Sequence, residues 1–173
     1  EILREDVDAP PLHRVVELSR AINMNCVMSL SPQWPPLDAV SNTLQSFRGG
    51  GLPAHHLGFF IAGKQFRSSM YLATSFTRVT AEFFARQAKA VYNQPPVIWI
   101  FRLNVNMKCM HANYIAAISQ VQHEAEFLFV AYSAFTVHAV RSNQPQAGWT
   151  TIVLDVAYDN MSEPLSLPLA PWG

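Results

Sequence analysis

Apolar residues recur at helical spacing in the first half of the chain. Residues 12–24 and 77–92 both carry this pattern, and Thr77 is suited to the N-cap of the second helix. A shorter helix is predicted over 35–46, with Pro36 in its first turn. The predicted apolar faces are Leu12, Val15, Val16, Ser19 and Ile22 in the first helix and Val79, Phe83, Phe84, Gln87, Ala88 and Val91 in the helix over 77–92. The glycine run at 49–51 is expected to interrupt regular structure.

Strand-like runs dominate the second half. One run at 70–76 precedes the helix over 77–92, and four more follow it, at 97–105, 124–131, 135–142 and 149–157. Helices first and strands later predict an α+β fold with a largely antiparallel sheet, not an alternating βαβ fold. We interpret residues 1–173 as one domain, with a helical N-terminal part (1–44), a core (45–156) and a proline-rich tail (157–173) that wraps over the surface.

Composition narrows the classes of partner. The 173 residues are 50% hydrophobic and 14% charged, which indicates a folded globular domain. Twelve basic and twelve acidic residues cancel, so the chain has no basic stripe for a nucleic acid backbone. The most apolar stretch, 127–140, is too short to cross a bilayer. We therefore expect small-molecule or protein partners, with no nucleic acid and no membrane.

The cysteines and histidines show no pattern of metal ligands. Cys26 and Cys109 are expected to be buried thiols in a reducing compartment, although a disulfide between them stays open. The six histidines, including the adjacent His55 and His56, lack recognisable ligand spacing. No nucleophile elbow or P-loop is present. We expect no metal.

Two acidic residues stand one residue apart at the start of a strand-like run. If residues 124–131 form a strand, alternation places Glu124 and Glu126 on one face. Such a pair can be a solvated strand face or a site. Two other features favour a site, namely Arg48 beside the glycine run and an Ala-Thr-Ser segment, residues 73–75, that ends a strand before a helix.

In this order and spacing, the motifs resemble those of the arginine–serine–glutamate class of mono-ADP-ribosyltransferases, which includes bacterial toxins and vertebrate ecto-enzymes. The aromatic-Arg-Gly motif is matched at 47–49 and the Glu-x-Glu motif at 124–126. The Ser-Thr-Ser motif is matched by Thr74 and Ser75, but its first serine is Ala73 here. Further matches are Ala81 to Phe84, Ile118 with Ser119, and Phe135 with Val137.

The resemblance implies an ADP-ribosyltransferase-like fold, with two packed antiparallel β-sheets, flanking helices and an NAD cleft between the sheets. It implies NAD as co-substrate and a protein acceptor, with arginine favoured. Glu126 is then expected to stabilise the ribose cation and Glu124 to activate the acceptor. The expected NAD-binding residues are Arg48, Gly49, Thr74, Ser75 and Phe84. For Phe84, whose spacing also suits a core residue, contact with nicotinamide is the second reading.

Three functions follow from these residues. The first is an NAD-dependent protein mono-ADP-ribosyltransferase, a toxin or effector that is cytoplasmic or delivered into a host cytosol. The second is a non-catalytic descendant that binds NAD or a protein, which Ala73 favours. The third is an NAD glycohydrolase that uses water as the acceptor.

Overall fold

The computed structural model describes residues 12–24, 43–142 and 148–171. Its α-helices are α1 (Leu12–Ile22), α2 (Ala54–Leu57) and α3 (Arg78–Tyr92), and 3₁₀ turns lie at Gln122–Glu124 and Asn160–Ser162. The strands of the described residues are β1 (Thr43–Gly51), β2 (Gln65–Arg67), β3 (Leu72–Ser75), β4 (Pro96–Asn104), β5 (Ala112–Tyr114), β6 (Glu126–Phe129), β7 (Ala134–Arg141) and β8 (Thr150–Val156).

Within the described residues, the eight strands form one hydrogen-bonded order, β2-β7-β8-β4-β1-β3-β6-β5. A single residue pair, Phe47 with Ser75, joins β1 to β3. This pair divides the order into a five-strand section (β2, β7, β8, β4, β1) and a three-strand section (β3, β6, β5). Neighbouring strands are antiparallel except β4 and β8, which are parallel, so the sheet is largely antiparallel, as predicted. The α+β fold is confirmed.

The two sections pack against each other. The Phe129 ring of β6 lies 5.3 Å from the Phe101 ring of β4 and 5.4 Å from the Phe135 ring of β7, measured between centroids. In a flat sheet β4 and β6 would be three strand spacings apart, about 14 Å. The sheet must therefore bend at the β1–β3 junction, which brings the two sections face to face around an aromatic core.

Helix α3 packs closely on β1 through small residues. Ala81 and Ala85 are buried against Ile98 of β4. A Cβ at Gly49 would lie 1.6 Å from the Ala81 carbonyl oxygen, so only glycine permits this approach. The predicted apolar face of α3 is therefore wrong apart from Ala88, because this contact admits only small side chains. The exposed apolar members of that face are Val79 (68%), Phe83 (53%), Phe84 (40%) and Val91 (67%).

Two glycines of β1 provide a matched test of this packing. Gly49→Ala should strongly lower the free energy of unfolding, by more than the roughly 1–3 kcal/mol usual for overpacking, because the new methyl meets backbone atoms. Gly50→Ala should be tolerated, because its Cβ would meet nothing nearer than a Trp99 ring atom at 3.4 Å. Denaturant unfolding of the two variants measures the difference. Equal free energies of unfolding in the two variants would contradict the close packing of α3 on Gly49.

The region around the glycine run differs from the prediction. Residues 43–46, expected to end a helix, and the glycines 49–51, expected to break regular structure, all lie in β1. Nine residue pairs with β4, from Thr43–Asn104 to Gly51–Pro96, hold these residues in the strand and outweigh the low strand propensity of glycine. Residues 35–42 of the predicted helix lie outside the described residues.

The proline-rich tail is anchored. The guanidinium of Arg67, a buried residue, donates hydrogen bonds to the carbonyls of Tyr132, Asn160, Glu163 and Pro164. The Arg67 amide also donates to the Pro168 carbonyl, and Ala170 is buried. Within the described residues 157–171, the tail contains a 3₁₀ turn and an isolated bridge between Leu169 and Arg67, where a tail without regular structure was predicted. The short elements α2, β2 and β5 were not predicted.

One cysteine can be placed. Cys109 is a buried free thiol, and burial raises its pKa to about 12. Cys26 lies outside the described residues.

His111 should make stability depend on pH. Burial lowers the pKa of His111 from 6.5 to about 4, against a smaller opposing effect of Asp159. Below pH 6.5 the unfolded chain takes up a proton that the folded chain resists until about pH 4. The unfolding free energy should therefore fall by up to about 3 kcal/mol through this window. Denaturant unfolding at pH 7 and pH 4.5 measures the fall, which His111→Phe should reduce and the exposed-site control His123→Gln should not. An undiminished fall in His111→Phe would contradict the assignment.

Candidate active site

Residues of the three motifs meet across neighbouring strands. Ser75 of β3 pairs with Phe47 of β1 on one side and with Glu126 of β6 on the other. Directly paired residues project to the same face of a sheet. Arg48 follows Phe47 in β1, and its guanidinium reaches β3, where it donates to the Ala73 carbonyl. Beside this row lies a cleft of about 210 Å³, lined by Phe47, Arg48, Gly49, Ala73, Thr74, Ser75, Thr80, Phe84, Glu124 and Glu126. The cleft therefore contains every predicted site residue.

The backbone that positions the two glutamates at the cleft differs from the predicted strand. Glu126 begins β6, but Glu124 ends the 3₁₀ turn, and Ala125 between them is left-handed, with φ 47° and ψ 52°. The expectation that a strand starts at Glu124 and that alternation aligns the pair is thus wrong. A left-handed residue with a Cβ costs about 1–2 kcal/mol. The Phe76 amide offsets part of that cost by donating to the Ala125 carbonyl at 3.1 Å.

Ser75 ties the glutamate turn to the start of α3. Its hydroxyl lies within hydrogen-bond distance of the Glu124 carbonyl, to which it donates. The Ser75 hydroxyl oxygen also accepts a hydrogen bond from the Thr77 amide at 2.8 Å. Ser75 is buried, so the bond fixes the backbone of Glu124 from beneath the cleft. Contact between Ser75 and NAD stays a prediction.

Thr74 faces the interior. Its hydroxyl lies 2.9 Å from the Ser46 hydroxyl and 2.9 Å from the Phe127 carbonyl, and the residue is buried. Alternation along β3 places Ala73 and Ser75 on the opposite face. The Thr74 side chain thus links β1, β3 and β6. Contact between Thr74 and NAD stays a prediction, and it would have to be made by the Thr74 backbone.

Arg48 presents a cation to the cleft. Its Nη1 donates to the Ala73 carbonyl at 2.9 Å, and burial lowers the pKa of its guanidinium. Among the described residues, no carboxylate forms an ion pair with Arg48. A guanidinium has five N–H donors, so this arrangement leaves donors for an anionic ligand.

Phe84 and Gly49 border two cavities. Both residues line the cleft and a neighbouring cavity of about 440 Å³. Because the Phe84 side chain is 40% exposed, its reading as a core residue is wrong. Thr80, one helical turn before Phe84, also lines the cleft and was not predicted. Its i, i+4 spacing from Phe84 was the signal available in the sequence.

Metal-binding clusters and membrane-spanning helices are absent from the described residues. In residues 12–24, 43–142 and 148–171, no three His, Cys, Asp or Glu side chains are grouped so that they could hold a metal ion. His55 and His56 stack edge to face, with ring centroids 4.0 Å apart. No α-helix of the described part is both long and apolar enough to span a membrane.

Comparison with known proteins identifies the fold. No protein-family model and no curated protein sequence matches the chain. The structure of the ADP-ribosyltransferase Vis of Vibrio splendidus with agmatine aligns with a TM-score of 0.62 and 17% identity, covering 84% of this chain and 59% of that one. Exoenzyme S from Pseudomonas aeruginosa, in complex with human 14-3-3 protein beta and bound to carba-NAD, aligns with a TM-score of 0.58 and 18% identity, covering 95% and 67%.

A third structure gives the same result. C3stau2 from S. aureus with NAD aligns with a TM-score of 0.54 and 12% identity, covering 88% of this chain and 74% of that one. The chain therefore has the fold of the bacterial ADP-ribosyltransferases. It spans less than two thirds of the length of the Vis chains.

Proposed function

We propose that this chain is an NAD-dependent protein mono-ADP-ribosyltransferase with arginine as the acceptor side chain. The observation that carries the proposal is the convergence of Arg48, Ser75 and Glu126 from three adjacent strands on one cleft, which Glu124 also lines. This arrangement occurs in a fold whose solved members include structures with NAD and with carba-NAD.

The cleft suits a dinucleotide with an anionic linkage. The pyrophosphate of NAD carries negative charge, and the half-buried Arg48 offers a forked set of donors without a competing carboxylate among the described residues. The exposed ring of Phe84 offers an apolar surface to a flat base such as nicotinamide. Arg48 and Phe84 thus bind chemically different parts of NAD.

Glu126 supports cleavage of the nicotinamide–ribose bond. As this C–N bond breaks, nicotinamide leaves with the electron pair and positive charge develops on the ribose. A fixed carboxylate that is already oriented stabilises this charge without reorganising during the reaction. Glu126 is half-buried and lies at the end of a hydrogen-bonded strand, so its position is defined before NAD arrives.

Glu124 supports transfer. A guanidinium nitrogen of the acceptor forms the new bond to the ribose carbon and gives up a proton, which Glu124 takes as general base. The acceptor carries positive charge, so a carboxylate at the cleft also holds it by a charge-assisted hydrogen bond. The structure of Vis with agmatine, a small guanidinium compound, supports a guanidinium acceptor in this fold.

One assay separates the three candidate functions. The purified chain is incubated with NAD, with and without agmatine or an arginine-rich protein, and nicotinamide and ADP-ribosylated acceptor are both measured. A transferase should form both nicotinamide and ADP-ribosylated acceptor, and it should release more nicotinamide when an acceptor is present. Nicotinamide without transfer indicates a glycohydrolase. NAD binding without nicotinamide release indicates a non-catalytic protein.

Arg48→Ala should weaken NAD binding. Loss of charged hydrogen bonds should cost about 1.5–3 kcal/mol of binding free energy, measured by calorimetry. Arg86→Ala is the matched control, because Arg86 is an exposed arginine of α3 whose ion pair with Glu82 lies on the surface. Unchanged NAD affinity in a folded Arg48→Ala variant would remove Arg48 from the site.

A further inference from the structure

Glu126 has a side-chain partner that the proposed mechanism does not use. The Ser119 hydroxyl lies 3.2 Å from Glu126 Oε2 and donates to it. Among the described residues, the Ser119 hydroxyl is the donor that the structure places on the Glu126 carboxylate. Ser119 itself does not line the cleft, whereas Glu126 does.

The hydroxyl of Ser119 is oriented by its surroundings. Its oxygen accepts from the Val121 amide at 3.2 Å, and the Ser119 amide donates to the Ile115 carbonyl at 2.9 Å. With a lone pair occupied by Val121, the hydroxyl proton can point to Glu126. The Ile115 amide also donates to the Glu126 carbonyl at 3.0 Å. The segment 115–121 is thus tied to Glu126 at both its backbone and its carboxylate.

On the β3 side of Glu126, the described residues provide no such donor. Ala73 pairs with Leu128, which places its side chain diagonally from Glu126 on the same face of the sheet. A serine at this position would bring a hydroxyl within reach of a glutamate side chain, but Ala73 offers only a methyl group. The neighbouring Ser75 hydroxyl is engaged with the backbone of Glu124 and Thr77.

We propose that Ser119 is a positioning residue that holds the Glu126 carboxylate toward the ribose, supplying from the 115–121 segment the hydroxyl that Ala73 does not provide from β3. The role rests on the proposed function of Glu126. Ser119 touches no substrate in this role, and its whole effect on the reaction passes through the carboxylate.

A double-mutant cycle tests this dependence. Ser119→Ala should lower kcat for nicotinamide release about 10-fold to 100-fold, the range for a lost hydrogen bond to a charged group, and leave KM for NAD little changed. In a Glu126→Ala background, Ser119→Ala should have no further effect, since the acceptor is already gone. If Ser119→Ala lowered kcat by the same factor in the wild type and in the Glu126→Ala background, the proposal would be overturned.

A conservative variant separates the hydroxyl from packing. Ser119→Thr keeps the donor at a half-exposed position and should retain most of the wild-type kcat. A threonine variant as impaired as the alanine variant, or a change confined to KM, would overturn the role.

Failure of the proposed function would be recognised separately. If the wild type releases no nicotinamide while binding NAD, the transferase proposal fails, and the role of Ser119 is then decided by crystal structures of wild type and Ser119→Ala. The Glu126 carboxylate should leave its position in the variant. A carboxylate that stays in place without Ser119 would overturn the positioning role.

Discussion

Glu126→Gln is expected to lower nicotinamide release about 10²–10³-fold, the loss typical of removing one preorganised electrostatic stabiliser. Glutamine keeps the size of the side chain and an oxygen that can accept from Ser119, so the variant differs from wild type mainly in charge. A neutral amide cannot balance the positive charge that develops on the ribose. NAD affinity should change much less, because that charge is absent before the bond begins to break.

The control for this experiment is a glutamate in a different setting. Glu163, a half-buried residue of the tail, accepts an exposed hydrogen bond from Gln65 and does not line the cleft, so Glu163→Gln should keep full activity. Nicotinamide release is measured at saturating NAD, and thermal unfolding checks that both variants remain folded. Release near the wild-type level from a folded Glu126→Gln variant would remove Glu126 from the chemistry.

Strand β4 of the five-strand section was predictable because its side chains face two packed surfaces. In β4, Trp99 and Phe101 point into the aromatic core, whereas Ile98 points toward α3. Burial on both faces requires a continuous run of apolar and β-branched residues, which is visible in the sequence. Strands β7 and β8 were identified by their enrichment in β-branched and aromatic residues.

The glycine strand and the buried face of α3 were not predictable from local pattern. Glycine has low strand propensity, and alanines carry a weak apolar signal beside Val79, Phe83 and Val91. Only the close approach of Gly49 to Ala81 explains both departures, and that contact joins segments far apart in the chain. Tertiary packing therefore overrode the periodicity of the large side chains.

Most residues that line the candidate cleft were predictable from the sequence, but their geometry was not. The order of the motifs predicted that Arg48, Ser75 and Glu126 lie in one site. The pairing of β1, β3 and β6 explains why these residues meet. The left-handed turn at Ala125 has no signature in the sequence, because alanine rarely adopts it. A turn of this kind depends on bonds from Phe76 and Ser75, which no local rule contains.

That turn gives Glu124 a backbone setting distinct from that of Glu126. Glu126 is held in a strand, whereas Glu124 ends a 3₁₀ turn fixed beneath by Ser75. Two carboxylates in different settings at one cleft can serve different steps. If Glu126 alone supports the ribose charge, cleavage of NAD with water as the acceptor does not require Glu124.

Glu124→Gln is therefore expected to separate cleavage from transfer. Nicotinamide release without an acceptor should survive, while transfer to agmatine or protein arginine should fall about 10²–10⁴-fold, the usual contribution of general-base catalysis. His123→Gln in the same turn is the matched control, and its exposed side chain should leave both activities intact. Equal loss of both activities in Glu124→Gln would mean that the glutamates act as one unit on the ribose. Undiminished transfer would leave the acceptor without a base and exclude Glu124 from that role.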